Sequence, residues 1–287
     1  MSILVDRHAR VLVQGLTGLG GRLHTSRCRA YAHGRRAFVA GVTPGKGGQV
    51  VDGLPVFDNV REARDATGAT VSVIYVPPAQ AAHAIEEAMA AELELVVCVT
   101  TGVPASDMER VAAQLQGRRT KLLGPNCPGL VVPGELNLGI LPAEFHTSGR
   151  IGVMSRTGAQ GPEVAHRLAA CGLGLSTVVG IGADAIGGLS FVDVMQLFQH
   201  DAGTDGVLLI DEVDAVVALD GAAEREFCAW IGAHAHKPVA ALILGQGPAA
   251  DRRAAAMQAC GVRVAREAAA IGALIGSLVE PECLPFD

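Results

Sequence analysis

The chain has 287 residues, of which 49% are hydrophobic and 18% are charged, and its formal net charge is −6. This composition predicts a large buried core and excludes global disorder. The charge balance, which lacks any block of lysines and arginines, argues against a nucleic-acid partner, and no apolar run reaches the ~20 residues of a membrane span.

Short β-branched runs alternate with Ala/Glu-rich segments of helical period in the first part of the chain. This alternation predicts a parallel sheet with crossover helices. Strands are predicted at residues 11–15, 37–42, 71–76, 94–99 and 120–124. Helices are predicted at residues 21–33, 79–91 and 106–116.

A second α/β set follows a Gly/Pro-rich stretch that lacks helical periodicity. We therefore predict a first domain at 1–124, a linker at 125–149 and a second domain at 150–287. Strands of the second set are predicted at residues 150–155, 175–182, 206–211, 238–244 and 262–265. Its helices are predicted at residues 158–171, 191–200, 222–236, 249–260 and 267–279.

The segment VLVQGLTGLGGRLH places Gly15, Gly18 and Gly21 at a spacing that lets a strand-to-helix turn wrap a phosphate. A site for NAD also needs a carboxylate about 20 residues later, at the end of the second strand. That strand is instead followed by TPGKGG, in which Lys46 is the charged residue. A cation there favours a ligand with an additional phosphate, either NADP or coenzyme A.

Four segments together resemble the alpha subunit of succinyl-CoA synthetase: MSILVDRHARVLVQGLTGLGG, GVTPGKGG, LGPNCPGLVVPGE and GVMSRTG. The resemblance extends to about residue 205. It implies an N-terminal Rossmann-like domain that binds coenzyme A, followed by a flavodoxin-like parallel-sheet domain. It also implies a separate ATP-grasp beta subunit as partner; a homo-oligomer is the alternative.

Carried over residue by residue, the resemblance implies a coenzyme A site with Lys46 near the phosphates. The other implied contacts are Thr17, Gly18, Leu19, Gly20, Val99, Thr100, Thr101 and Asn126. Leu19, Gly20 and Thr101 differ from the residues common in the family, so at these positions the resemblance implies binding through the backbone and not through the family's side chains. Cys127 follows Asn126, and packing is the favoured role for its thiol.

The second domain carries SRTG at a strand-to-helix turn, where a helix N-terminus attracts anions. The resemblance implies that Ser155, Arg156, Thr157 and Gly158 bind phosphate and that Glu212 is the catalytic carboxylate. Two family features are missing: a tyrosine, replaced by Pro162, and a Gly-His-Ala-Gly segment whose histidine takes up phosphate. No metal site is predicted, because a polar strand end explains the acids around Glu212.

Three functions follow from these residues. The first is a coenzyme A ligase subunit that handles a small carboxylic acid, as its CoA thioester or acyl phosphate, without the usual phosphohistidine. The second is a non-catalytic coenzyme A-binding regulatory or assembly subunit, and the third is an NADP-dependent reductase. The charged N-terminus and the seven cysteines without a CxxC pair predict a cytoplasmic location.

Overall fold

A computed structural model describes residues 2–156, 161–213 and 221–279. The chain divides into two compact units. The N-terminal unit consists of Leu4–Ala143 together with Gly180–Leu189. The C-terminal unit consists of Glu144–Val179 and the chain from Ser190 onward, with residues 2–3. The domain boundaries at 124/125 and 149/150 remain predictions.

The N-terminal unit is built on a seven-stranded sheet with the order β3-β4-β2-β1-β5-β6-β7. Its pairs are parallel except for the β3–β4 hairpin. Without β3, this is the doubly wound order 3-2-1-4-5-6, which confirms the Rossmann-like prediction. The strands are β1 (Val11–Gln14), β2 (Phe38–Val42), β3 (Val50–Val51), β4 (Leu54–Phe57), β5 (Val71–Ile74), β6 (Leu95–Cys98) and β7 (Lys121–Leu123).

Helices cover this sheet, and an antiparallel hairpin follows it in the chain. The helices are α1 (Leu19–Ala30), α2 (Gly34–Ala37), α3 (Val60–Thr67), α4 (Pro78–Ala90) and α5 (Ala105–Leu115). The hairpin consists of β8 (Gly129–Val132) and β9 (Leu136–Gly139), within the stretch predicted to be a linker. Strands β1, β5 and β6 are buried along their whole length, as a central parallel sheet requires.

The strands of the C-terminal unit follow the order β14-β13-β12-β10-β11, and the β10–β12, β12–β13 and β13–β14 pairs are parallel. Numbered within the unit this is 2-1-3-4-5, the flavodoxin-like order, which confirms the prediction of a flavodoxin-like domain. The strands are β10 (Ser148–Ser155), β11 (Leu175–Gly180), β12 (Gly206–Glu212), β13 (Val239–Leu244) and β14 (Arg263–Ala265). The helices are α6 (Gly161–Ala170), α7 (Phe191–His200), α8 (Gly221–His234), α9 (Pro248–Ala259) and α10 (Ile271–Val279).

Local chemistry explains where several helices begin. The Asn59 side chain accepts the Glu62 N–H at 2.9 Å and caps α3. Ser190 and Asp193 form a reciprocal capping box at the start of α7. Among the helices in the described ranges, none combines the length and apolar character needed to cross a membrane.

Candidate functional site

The glycine loop after β1 leaves the first turn of α1 open. Gly15 has φ +90° and donates its N–H to the Val42 carbonyl at 3.0 Å. Gly18 is the N-cap of α1, no side chain caps this helix end, and its first turn contains no acidic residue. A Cβ on Gly21 would lie 2.2 Å from the Gly15 carbonyl oxygen, so the helix packs this closely only with glycine. The helix N-terminus is therefore a candidate anion site.

The structure brings Lys46 to this loop. Its Nζ donates to the Thr17 hydroxyl at 3.1 Å, and the Thr17 hydroxyl lies 3.4 Å from that of Thr43. Lys46 is exposed and can reach a ligand at the mouth of the site. Two predicted contacts, Thr17 and Lys46, thus meet across 29 residues of sequence.

Asp58 is a site residue that the sequence analysis missed. It follows β4, and its carboxylate accepts the Gly47 N–H at 2.9 Å, which fixes the loop that carries Lys46. Gly47 has room for this contact only without a side chain, because a Cβ would lie 2.5 Å from the Asp58 carboxylate. Asp58 therefore orients the lysine loop.

A pocket of about 430 Å³ opens beside the glycine loop. It lies between the ends of β1 and β5, the point at which the strand order reverses and doubly wound folds bind their ligands. Its lining includes Gln14, Thr17, Gly18, Thr43, Tyr75, Val76, Gln80, His83 and Glu87.

A hydrogen-bond network holds the polar side chains at the floor of this pocket. The Gln14 amide donates to the Ala84 carbonyl at 3.0 Å and to the Glu87 carboxylate at 3.2 Å, and it accepts the Ser72 hydroxyl at 2.7 Å. Glu87 also accepts the Val60 N–H at 2.8 Å, at the start of α3. The Glu87 carboxylate is thereby fixed from two elements.

The remaining predicted contacts lie outside the described lining of the 430 Å³ pocket, and four of them follow β6. The Thr100 hydroxyl donates to the Val76 carbonyl at 2.7 Å, which connects this segment to the pocket wall. Asn126 donates its backbone N–H to the Thr100 carbonyl at 2.9 Å and its amide to the Asp184 carboxylate at 2.7 Å. Val99 is half-buried and Thr101 is exposed. Leu19 and Gly20 are exposed in the first turn of α1.

Cys127 is a packed thiol in this structure. Its side chain is buried and donates to the Cys98 carbonyl at 3.2 Å and the Leu123 carbonyl at 3.4 Å. Burial raises the pKa of the Cys127 thiol far above its ordinary value. Burial also raises the pKa of Cys98 to about 12. Neither thiol is set up as a nucleophile, since the thiolate is the reactive form.

In the C-terminal unit, Ser155 and Glu212 lie at the same edge of the sheet. Ser155 ends β10 and Glu212 ends β12, and the register pairs Ser155 with Ile210. The Arg156 guanidinium lies 5.4 Å from the centroid of the Phe191 ring, a cation–π contact. Thr157 and Gly158 lie outside the described residues.

Asp211 and Glu212 have different surroundings although they are neighbours. Asp211 is buried and its carboxylate pairs with Arg253 of α9, whose guanidinium also contacts Glu224 of α8. Burial raises the pKa of Asp211, while the charges of Arg253 and Arg156 oppose that rise. Glu212 is half-buried at the strand end.

The connection from β13 to α9 consists of residues 245–247, Gly-Gln-Gly. Gly245 and Gly247 have φ of +110° and +86°, and Pro248 is the first residue of α9. His234 and His236 precede β13, at its opposite end. No histidine therefore occupies this described connection.

Comparisons with known proteins agree with this architecture. Residues 6–102 match the family model for the CoA binding domain, and residues 148–274 match that for the succinyl-CoA ligase like flavodoxin domain. The chain is 46% identical over 246 residues to the alpha subunit of the ADP-forming succinate–CoA ligase of Staphylococcus aureus, covering 86% of this chain and 78% of the relative. The corresponding subunit of Staphylococcus epidermidis is 45% identical with the same coverage.

Two solved structures share the fold at low sequence identity. The dinucleotide-forming acetyl-coenzyme A synthetase 1 of Ca. Korarchaeum cryptofilum aligns with a TM-score of 0.74 and 20% identity, over 95% of this chain and 61% of that chain. ATP citrate lyase from Methanothrix soehngenii aligns with a TM-score of 0.75 and 18% identity, over 99% of this chain and 52% of that chain. This chain therefore spans only part of the length of both structures.

Proposed function

Because the chain belongs to the family of succinate–CoA ligase alpha subunits, we propose that it is the coenzyme A-binding subunit of an acid–thiol ligase and acts with a partner chain. The observation that carries this proposal is the contact of Lys46 Nζ with Thr17 at 3.1 Å, beside the uncapped N-terminus of α1. A cation and a helix N-terminus together form a site for a phosphorylated ligand.

The residues present fit coenzyme A. Its pyrophosphate would be bound by the backbone N–H groups of the first turn of α1, and Lys46 would contact a phosphate. The carboxylate of Asp58, which follows β4, accepts the Gly47 N–H and fixes the lysine loop. The pocket of about 430 Å³ at the β1–β5 switch point would take the remainder of the nucleotide end.

The C-terminal unit would supply the phosphate and carboxylate part of the site. Ser155, Arg156 and Glu212 belong to the carboxyl edge of its sheet, and Thr157 and Gly158 complete the predicted phosphate loop. The Gly-Gln-Gly connection after β13 provides no imidazole. Since a relay through a phosphorylated side chain needs its nucleophile, we propose that the subunit handles an acyl-CoA or acyl phosphate without a phosphohistidine of its own.

A second candidate is a non-catalytic coenzyme A-binding regulatory or assembly subunit. The same Gly-Gln-Gly connection favours it, because a chain without the nucleophile still retains the coenzyme site. Under either candidate, an ATP-grasp beta subunit is the expected partner, and a second copy of this chain is the alternative.

Reconstitution tests both candidates. The chain is mixed with a beta subunit, ATP, coenzyme A and a panel of small carboxylic acids, and loss of free thiol is followed together with calorimetric binding of coenzyme A and NADP. Thioester formation supports the ligase. Binding of coenzyme A without thioester formation supports the regulatory subunit. Binding of NADP in place of coenzyme A overturns both.

A further inference from the structure

A second basic site lies at the opposite end of β1 from the glycine loop. A pocket of about 500 Å³ is lined by Arg7, His8, Ala9, Arg10, His33 and Arg36. Arg10 directly precedes β1, and the glycine loop directly follows it. The four residues of β1 separate the two places by about 13 Å. The basic pocket is therefore distinct from the proposed coenzyme site.

The arginines of this pocket have no carboxylate partner among the described residues. Arg7, Arg10 and Arg36 form none of the ion pairs seen in the described ranges. Asp6, their neighbour in sequence, accepts the backbone N–H of His8 at 2.8 Å. Six other arginines pair with carboxylates, namely Arg22, Arg110, Arg150, Arg167, Arg253 and Arg266. What distinguishes Arg7, Arg10 and Arg36 is that they line one pocket together, in a chain of net charge −6.

Two of the guanidinium groups donate to neutral acceptors, and Arg7 Nε reaches His8 Nε2 at 3.4 Å. Arg10 Nε donates to the Thr67 carbonyl, and the Arg10 carbonyl accepts the N–H groups of Thr70 and Val71 at 2.9 and 3.1 Å. The His33 N–H donates to the Glu135 carbonyl at 3.0 Å, and His33 precedes the short helix that carries Arg36. The backbone at Arg10 and His33 is thus fixed without a carboxylate among these contacts.

We propose that this pocket binds a compact multivalent anion with several phosphate or carboxylate groups. Planar guanidinium groups bind such oxygens in pairs, which suits a ligand with adjacent charged groups. The volume lies in the range of small-molecule sites. The two imidazoles are the only rings in its described lining, so the site offers little stacking surface for a nucleobase.

Calorimetric titration at low ionic strength tests the proposal, with inorganic tripolyphosphate as the phosphate probe and citrate as the carboxylate probe. The double variant Arg7→Gln/Arg36→Gln should weaken binding of the preferred probe by about tenfold or more, because charge-assisted hydrogen bonds are lost. The matched double variant Arg119→Gln/Arg252→Gln makes the same change in net charge at two exposed arginines that form none of the ion pairs in the described ranges. It should change binding by no more than about twofold.

The glycine loop is the competing anion site, and Lys46→Ala separates the two. If the Lys46→Ala variant still binds tripolyphosphate, the basic pocket is supported as the binding site. If the variant no longer binds tripolyphosphate, the anion belongs to the glycine loop and the proposal is overturned. If the two arginine double variants lose affinity for the probe equally, the attraction is unspecific and the proposal is overturned. The proposal is also overturned if neither tripolyphosphate nor citrate binds.

Discussion

The guanidinium of Arg253 lies against the carboxylate of Asp211, and both side chains are almost completely buried, with exposures of 5% and 1%. Glu224 contacts the same guanidinium with 19% of its side chain exposed. The group therefore joins β12, α8 and α9. A buried ion pair contributes little net stability as a whole, but removing one partner leaves a charge without compensation.

Replacing Arg253 should therefore destabilise the C-terminal unit strongly. We expect Arg253→Met to lower the free energy of unfolding by about 3–5 kcal/mol, because Asp211 stays buried without its partner. Arg110→Met removes an arginine that is half-exposed and paired with Glu86 and Asp107, and it should cost no more than about 1 kcal/mol. Urea denaturation measures the free energy of unfolding of both variants. Equal midpoints would contradict the interpretation that Arg253 compensates the buried charge of Asp211.

The double variant Arg253→Met/Asp211→Asn provides a second test. Removal of both charges should restore part of the stability lost in Arg253→Met, since the uncompensated carboxylate disappears. A double variant less stable than Arg253→Met would show that Asp211 stabilises the unit through other contacts.

Lys46 should discriminate coenzyme A from its 3′-dephospho form. We expect Lys46→Ala to weaken binding of coenzyme A by about 1.5–3 kcal/mol, the contribution of a hydrogen bond to a charged group, and binding of dephospho-coenzyme A by less. Lys121, one of the two other lysines, is exposed at the start of β7 and provides the control Lys121→Ala. Calorimetry gives both affinities, and equal losses for the two ligands would exclude a contact between Lys46 and the 3′-phosphate.

His24 should make the stability of the N-terminal unit depend on pH. Its ring stacks on Tyr75 with a centroid distance of 5.8 Å. Burial, aided by the charge of Arg27, lowers the pKa of His24 below its ordinary 6.5. The unfolded chain therefore binds this proton more readily than the folded chain, so the stabilisation is complete above pH 6.5 and is lost as pH falls through the lowered pKa.

We therefore expect acidification from neutral pH to destabilise the wild type more than His24→Phe, which keeps a stacking ring and has no titrating group. Chemical denaturation at a series of pH values measures the difference. An NMR titration of the His24 ring tests the cause directly, and a midpoint at or above 6.5 would contradict it.

The glycine loop was predictable from the sequence, but the hydrogen bond by which Asp58 fixes the loop that carries Lys46 was not. Gly15, Gly18 and Gly21 act within one strand–helix turn, so their spacing alone identifies the turn. Asp58 reaches Gly47 only through the β3–β4 hairpin, whose strands of two and four residues are too short to show periodicity. Its turn residues Asp52 and Gly53 have φ of +49° and +78°, and an Asp-Gly pair is the sequence signal that could have identified the hairpin.

The buried ion pair of the C-terminal unit was harder to predict from the sequence. Arg253 and Asp211 are separated by 42 residues. Arg253 follows Arg252 in α9, and two adjacent arginines are typical of a solvent-exposed helix. Only the packing of α9 on the sheet distinguishes the two arginines, since Arg252 is exposed and Arg253 is buried. The strands outside the two hairpins were predictable because each follows from a pattern within its own segment, whereas the fold of each unit was implied by the family resemblance.

Four of the five histidines of the C-terminal unit lie away from the edge that carries Ser155 and Glu212. His146 precedes β10 by two residues while Ser155 ends it, and the eight residues of β10 span about 26 Å. His234 and His236 precede β13, whose six residues span about 20 Å. His200 ends α7, and its ring lies 6.4 Å from that of His236. His166 is exposed in α6, five residues after the first residue of that helix.

No histidine of this chain should therefore become phosphorylated during turnover. Incubation with a beta subunit and γ-labelled ATP should leave the chain free of acid-labile, base-stable label, because the Gly-Gln-Gly connection after β13 places no imidazole at the carboxyl edge of the sheet. An alpha subunit that contains the Gly-His-Ala-Gly segment serves as the positive control under the same conditions. Label on His166 would show that α6 reaches the phosphoryl donor, and label on any histidine would replace the proposed bypass with a phosphohistidine relay.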